Sequence, residues 1–163
     1  MLIIAGFLYS CSSDDESKSD QLIGYWKPVQ VGLVLTDGTT RVETLPECEQ
    51  EGSMRIRNNG QFGLSIYAQI SADVNCHRHI ATLDGSWNKV SENNYSIYFW
   101  FYYDDEDYNT VWEEGEINFS MDVSFPEKDI LHVYDQELLG YYPEAVLADD
   151  VVSFYMIYHD KKW

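Results

Sequence analysis

The chain is poor in cations and carries no catalytic signature. Ten Lys and Arg stand against 28 Asp and Glu, a formal net charge of −18. Phosphate backbones are gripped by basic side chains, so this balance argues against nucleic acid as a partner and against docking on anionic lipid. No G-x-S-x-G, H-E-x-x-H, Walker loop or G-x-G-x-x-G occurs. The usual sequence grounds for a serine hydrolase, zinc protease, NTPase or dinucleotide enzyme are therefore missing. Carboxylates abound, but a glycosidase pair is defined by its separation across a cleft and not by sequence. The expectation is a protein that is not an enzyme and uses no cofactor. Long helical patterns are also lacking, and no uncharged apolar run reaches the ~20 residues of a transmembrane helix.

What is present begins at the N-terminus. Residues 1–10 are mostly apolar and end in Leu8-Tyr9-Ser10 before Cys11, which is followed by Ser12-Ser13-Asp14-Asp15-Glu16. This order resembles the lipobox of a bacterial lipoprotein, in which signal peptidase cuts before the cysteine and that cysteine receives lipid. The resemblance implies a signal peptide over 1–10, lipidation of Cys11, and a multiply acylated anchor as the membrane contact. The alternative is a buried N-terminal strand with an incidental cysteine. Residues 12–20 contain no apolar side chain. They cannot offset ordering entropy by burial, so 11–20 reads as a lipid-attached flexible tether. The acidic run resembles the surface-export signal of lipoproteins in the Bacteroides group, which implies an outer-membrane, cell-surface location. Residues 21–163 are left as one domain, long enough for a full core.

With Cys11 taken by lipid, Cys48 and Cys76 are the remaining cysteines. In an oxidising compartment the expected outcome is a disulfide between them. The chain-entropy model assigns a loop of this size roughly 3–4 kcal/mol. Redox catalysis would call for a CxxC-like motif, and none is present.

Strict alternation recurs along the domain. Phe62, Leu64, Ile66, Ala68 and Ile70 alternate with Gln61, Gly63, Ser65, Tyr67 and Gln69. Ile117, Phe119, Met121, Val123 and Phe125 alternate with Glu116, Asn118, Ser120, Asp122 and Ser124. Period two means one face buried and one wet, the mark of an antiparallel sheet. Asp37-Gly38 stands between Val29–Leu35 and Thr39–Leu45, and Asn59-Gly60 between Met54–Arg57 and Gln61–Ile70. Both predict two-residue type I′ hairpins. Ser91–Asn94 and Asp104–Asp107 predict loops, and Ile130–Tyr134 and Val151–His159 the last strands. Helix is plausible only near Pro143–Leu147. Some nine short strands with close turns argue for an all-β barrel or sandwich.

Leu22-Ile23-Gly24-Tyr25-Trp26-Lys27 resembles the opening strand of the lipocalin-like domains in lipoproteins of the Bacteroides group. There, a G-x-W strand begins an up-and-down barrel soon after the tether, and a cysteine pair around a central hairpin and a second G-x-W follow. Here these correspond to Cys48, Asn59-Gly60, Cys76 and Gly85-Ser86-Trp87, so the likeness covers roughly residues 21–103. It implies an antiparallel up-and-down (lipocalin-like) β-barrel more than any activity. In such a barrel Trp26 would plug the closed end, with Gly24 letting the chain pass close beneath it.

Three features bear on chemistry. Cys76-His77-Arg78-His79 is the nearest approach to a metal set, because His-x-His on a strand puts two imidazoles on one face. A disulfide at Cys76 would remove its thiolate, so no metal site is expected. Asp105-x-Asp107-x-Asn109 with Glu116 at the twelfth position is similar to a calcium loop, but Thr110 replaces the turn glycine and the flanks are strands. A solvated acidic hairpin is the better reading. Tyr95–Tyr103 is the main functional lead: one face carries Tyr95, Ile97, Phe99, Phe101 and Tyr103, the other Ser96, Tyr98, Trp100 and Tyr102. A half-wet strand needs one apolar face, so the second is in excess. Tyr and Trp pair a flat apolar body with a polar rim, suited to sugars, flat ligands or partner proteins. Tyr98, Trp100 and Tyr102 are thus the expected ligand-binding residues, with cover by another segment as the alternative. The leading expectation is a small apolar or aromatic ligand held in the barrel mouth. The runner-up is a cell-surface protein or glycan interaction module without a ligand cavity; an open or a filled interior separates the two.

Overall fold

The computed structural model describes residues 20–68, 76–104, 110–134 and 150–161; within the strands, the side chains of 77, 79, 83, 84, 102–104 and 110–114 lie outside that description. Among the described residues the strands are β1 (Gly24–Leu35), β2 (Thr40–Thr44), β3 (Ser53–Ile56), β4 (Phe62–Ala68), β5 (His77–Lys89), β6 (Asn94–Asp104), β7 (Thr110–Glu127), β8 (Ile130–Tyr134) and β9 (Val151–Asp160). From β3 to β9 each strand pairs antiparallel with the next. β9 then returns to β1, from Trp26 opposite Asp160 to Leu35 opposite Val151, and closes the sheet. With that edge of β1 taken, β2 and β3 share the other, at Gln30–Val34 and Gly24–Trp26. They form one barrel strand interrupted by the segment around a 3₁₀ turn at Glu49–Glu51. The result is an all-β, up-and-down antiparallel barrel of eight staves, with no free edge where β1 meets β9. The alternation predicts its antiparallel all-β sheet, and the lipocalin-like resemblance implies the up-and-down barrel. The expected helix at 143–147 and the loop at 105–107 lie outside the described residues.

Alternation decides what fills the barrel. Phe62 and Leu64 of β4, Ile97, Phe99 and Phe101 of β6, and Phe119, Met121 and Val123 of β7 all point inward and are buried. Phe99, fully excluded from solvent, stacks on Phe62 at 5.6 Å between centroids and meets Phe101 and Phe119 edge-on at 6.1 and 6.2 Å. Offset and edge-to-face contacts of this kind add to the burial of large rings. Around Phe99 the interior is packed with side chains.

One end of the barrel is sealed by the N-terminal approach. Leu22 is fully buried, and the Trp26 indole, 2% exposed, donates through Nε1 to the Leu22 carbonyl at 2.9 Å. A Cβ on Gly24 would sit 3.1 Å from that Nε1, so glycine leaves room for the indole to fold back. Trp87, from the second G-x-W, donates its Nε1–H to the Arg57 carbonyl at 2.8 Å and ties the β3–β4 turn to β5. Asp20, expected as the last tether residue, belongs instead to this seal, accepting hydrogen bonds from Tyr95, Lys89 and the Leu22 amide. Composition marks a charged residue as soluble; here three donors satisfy it within the fold.

Both predicted hairpins form, but with different turns. Gly38 N donates to Leu35 O and Leu35 N to Thr39 O; Gly60 N donates to Arg57 O and Arg57 N to Gln61 O. Each is a three-residue loop closed by a glycine at positive φ, 81° and 83°, the turn-plus-bulge hairpin in place of the two-residue type I′ form. Side chains account for the choice. Asp37 Oδ1 accepts from the Thr39 amide and hydroxyl at 2.8 and 2.7 Å, and Asn59 Oδ1 from the Gln61 amide at 3.1 Å. Such local bonds stabilise the extra residue, leaving only glycine to take the left-handed conformation.

Cys48, at the head of the 3₁₀ turn, and Cys76, just before β5, form a disulfide with Cα atoms 5.2 Å apart. It fastens the segment that interrupts the β2–β3 stave to the start of β5, across the β3–β4 hairpin.

Candidate functional site

The split of β6 follows the sequence: Tyr95, Ile97, Phe99 and Phe101 are buried, while Ser96, Tyr98 and Trp100 are half-buried on the outer wall. Register supplies the surroundings. Tyr98 stands between Ser86 of β5 and Asn118 of β7, and Trp100 between Asp84 and Glu116. Ser86, Asn118 and Glu116 are exposed. The pair is therefore an apolar strip framed by a hydroxyl, an amide and a carboxylate. Among the described residues neither ring is engaged by a hydrogen bond, an ion pair or another aromatic. The Tyr102 side chain lies outside the described ones. The placement corrects one part of the expectation: Tyr98 and Trp100 face away from the lumen, so a ligand inside the barrel mouth would not meet them. The cause is the two-residue period itself, which cannot turn Phe99 and Trp100 to the same side.

A second outer cluster escaped the sequence reading. His132 of β8 stacks 4.6 Å from Tyr155 of β9, and Tyr134 lies 5.1 Å from the same ring. Tyr155 lies over Gly32, its partner on β1, where any Cβ would overlap the ring. Burial holds the His132 imidazole below its ordinary pKa. Burial, with Tyr134 as the smaller contribution, raises the Tyr155 phenol. The signal was present, since inward Leu131 and Val133 oblige His132 and Tyr134 to face out. Nothing in the sequence brings Tyr155 beside them. Tyr134 is exposed, more so than Tyr98 or Trp100. These rings are nevertheless engaged with one another and with Gly32, whereas Tyr98 and Trp100 have no such contact among the described residues.

The remaining sequence candidates resolve as follows. The disulfide occupies the Cys76 thiolate, which a Cys-His-x-His metal set would need. The side chains of His77 and His79 lie outside the described ones. Among the described residues no group of three His, Cys, Asp or Glu is arranged to hold a metal ion. Glu116 is exposed on β7 opposite Trp100, whereas Asp105, Asp107 and Asn109, like Cys11, lie outside the described residues. No family model, curated protein or solved structure matches the chain.

Proposed function

We propose that the protein is a lipid-anchored module of the outer-membrane surface that recognises a glycan with the outer wall of its barrel. The observation that carries the reading is the Tyr98–Trp100 strip, half-exposed, unengaged among the described residues, and framed by Ser86, Asn118 and Glu116. Sugar rings offer apolar C–H faces and a rim of hydroxyls. Aromatic faces take the former and the hydroxyl, amide and carboxylate neighbours the latter. Tyr102, next in the alternation of the sequence, is the third residue we assign to this strip. A ligand in the lumen is the weaker reading, because it would have to displace the packing of Phe62, Phe101 and Phe119 around Phe99. A protein partner is disfavoured by scale. Stable interfaces bury about 800 Å² per partner around an apolar centre, and the described part of this strip is two half-buried rings framed by polar Ser86, Asn118 and Glu116. The anchor in the proposal rests on Leu8–Cys11 and the polar run after it.

Glycan-array binding of the folded domain, with Trp100→Ala and Tyr98→Ala alongside, tests the reading. Capture of a saccharide class by the wild type and its loss in both variants, each still folded, is the expected result. Binding that persists in both variants, or capture of a protein partner and no saccharide, would overturn it.

A further inference from the structure

Cations are scarce in this chain, yet three of its ten basic residues, Arg55, Arg57 and Lys161, line one cleft on the outer side of the sealed end. Backbone register gathers them. Tyr25 of β1 pairs with Arg55 of β3 on one edge, and on the other its carbonyl accepts from Lys161 N at 2.8 Å. Lys161, just past the end of β9, Tyr25 of β1 and Arg55 of β3 thus form a row. The Arg55 guanidinium and the Lys161 ammonium lie 5.4 and 5.5 Å from the centroid of the Tyr25 ring. A ring quadrupole orients cations without cancelling their charge. Arg57 is oriented too: its Nη1 donates to Gln61 Oε1 at 3.0 Å, and that oxygen also accepts from Asn59 Nδ2 at 3.0 Å. Among the described residues neither arginine has a carboxylate partner, and Asp160 is the one acid on the cleft lining.

Beside the arginines the wall is notched. Gly63 of β4 faces Arg55 across the pair, and a smaller cleft of about 190 Å³ lies there, lined by Arg55, Arg57, Gln61, Thr82 and Gly85 among others. The two glycines differ in kind. A Cβ on Gly85 would approach the Phe62 carbonyl oxygen to 2.6 Å, so packing demands glycine there. A Cβ on Gly63 would meet only Arg55 Cβ, at 3.9 Å. Packing does not require the notch, which sits next to two oriented guanidinium groups.

We propose that Arg55, Arg57 and the Gly63 notch form a binding site for the oxyanion of a small ligand, a carboxylate, sulfate or phosphate group. Guanidinium forks match these anions in geometry and charge. The overall charge of −18 restricts the size of the guest. Screening over about 8 Å at physiological salt lets a local cationic site act on a small anion, while a long polyanion would also meet the acidic remainder of the surface. The site stands apart from the Tyr98–Trp100 strip and does not depend on it.

The test is calorimetric and NMR titration of the folded domain with sodium sulfate, inorganic phosphate and glucuronate, against chloride at matched ionic strength. Saturable binding of at least one oxyanion, with shifts at the Arg55 and Arg57 side-chain resonances, is expected, and the three arms identify which. Arg57→Ala should weaken it about tenfold, the scale of one charge-assisted hydrogen bond. Gly63→Val should fill the notch and weaken binding with the melting temperature unchanged, so the result does not hinge on a variant that fails to fold. Trp100→Ala should leave it intact, which separates this site from the aromatic strip. Absence of saturable binding in all three arms, or wild-type affinity retained in both Gly63→Val and Arg57→Ala, would overturn the proposal.

Discussion

The Tyr95 hydroxyl donates to Oδ1 of Asp20 at 2.7 Å, joining residues 75 apart in the chain. The same carboxylate accepts from Lys89 Nζ at 2.7 Å and from the Leu22 amide at 3.0 Å. Burial by itself would push the Asp20 carboxyl up, but these three donors together hold it below its ordinary value. Burial, then the bond to Asp20, pushes the Tyr95 phenol up to about 12. The contact locks the entry of the chain beneath Trp26 and seals that end of the barrel.

Removing this lock should be measurable. Tyr95→Phe is expected to cost about 1.5–3 kcal/mol, the range for a hydrogen bond to a charged group, read by urea unfolding at neutral pH. The Asp20 carboxyl is depressed in the fold, so its stabilisation is fully present above the unfolded value near 4. It is lost as pH falls through the lower folded value. The stability gap between wild type and Asp20→Ala should therefore narrow in an acid series below pH about 4, and a gap that stays constant would exclude the carboxylate as its source.

The Cys48–Cys76 disulfide closes a 28-residue separation. Cys48→Ser is expected to lower stability by roughly 3–4 kcal/mol on the chain-entropy model. The Cys48→Ser/Cys76→Ser double variant should match the single one, because either change opens the same loop. Denaturant melts of the three proteins check both statements.

Phe99 and Trp100 are adjacent in sequence and opposite in role. Phe99→Ala, at the centre of the packed interior, is expected to cost about 3–5 kcal/mol. Trp100→Ala, on the outer wall, should cost clearly less and act on ligand capture instead. One melt and one binding assay per variant separate the faces; a Trp100 loss equal to that of Phe99 would remove the site assignment.

The anchor has its own test. Expressed with residues 1–10 intact, the protein should partition with membranes, and Cys11→Ala should move it to the soluble fraction. Unchanged fractionation of that variant would remove the lipid attachment from the proposed function.

Much of the architecture was legible because it follows from a local rule. Phe62 and Leu64 turn inward and Phe119, Met121 and Val123 do the same on β7, as alternate Cβ directions along an extended chain require. The hairpins at Asp37-Gly38 and Asn59-Gly60 were legible as turns, but not in type, since the choice was made by bonds from Asp37 and Asn59 to residues two places on. The Tyr98–Trp100 strip was legible as an excess apolar face. Its position outside the lumen became evident only once Phe99 was seen at the centre of the core.

By itself, then, the sequence determined which side chains share a strand face, where the chain turns, and that the domain is all β. These are properties of neighbours along the chain, set by sterics and solvent preference over a few residues. Tertiary structure alone decided the closure of β9 on β1, the seal of Asp20 against Tyr95 and Lys89, the stacking of Tyr155 on His132, and the gathering of Arg55, Tyr25 and Lys161 into one row. Each depends on register between strands distant in sequence. Register is chosen by the packing of the whole interior, because a slip of one residue would turn every inward side chain of a strand to solvent.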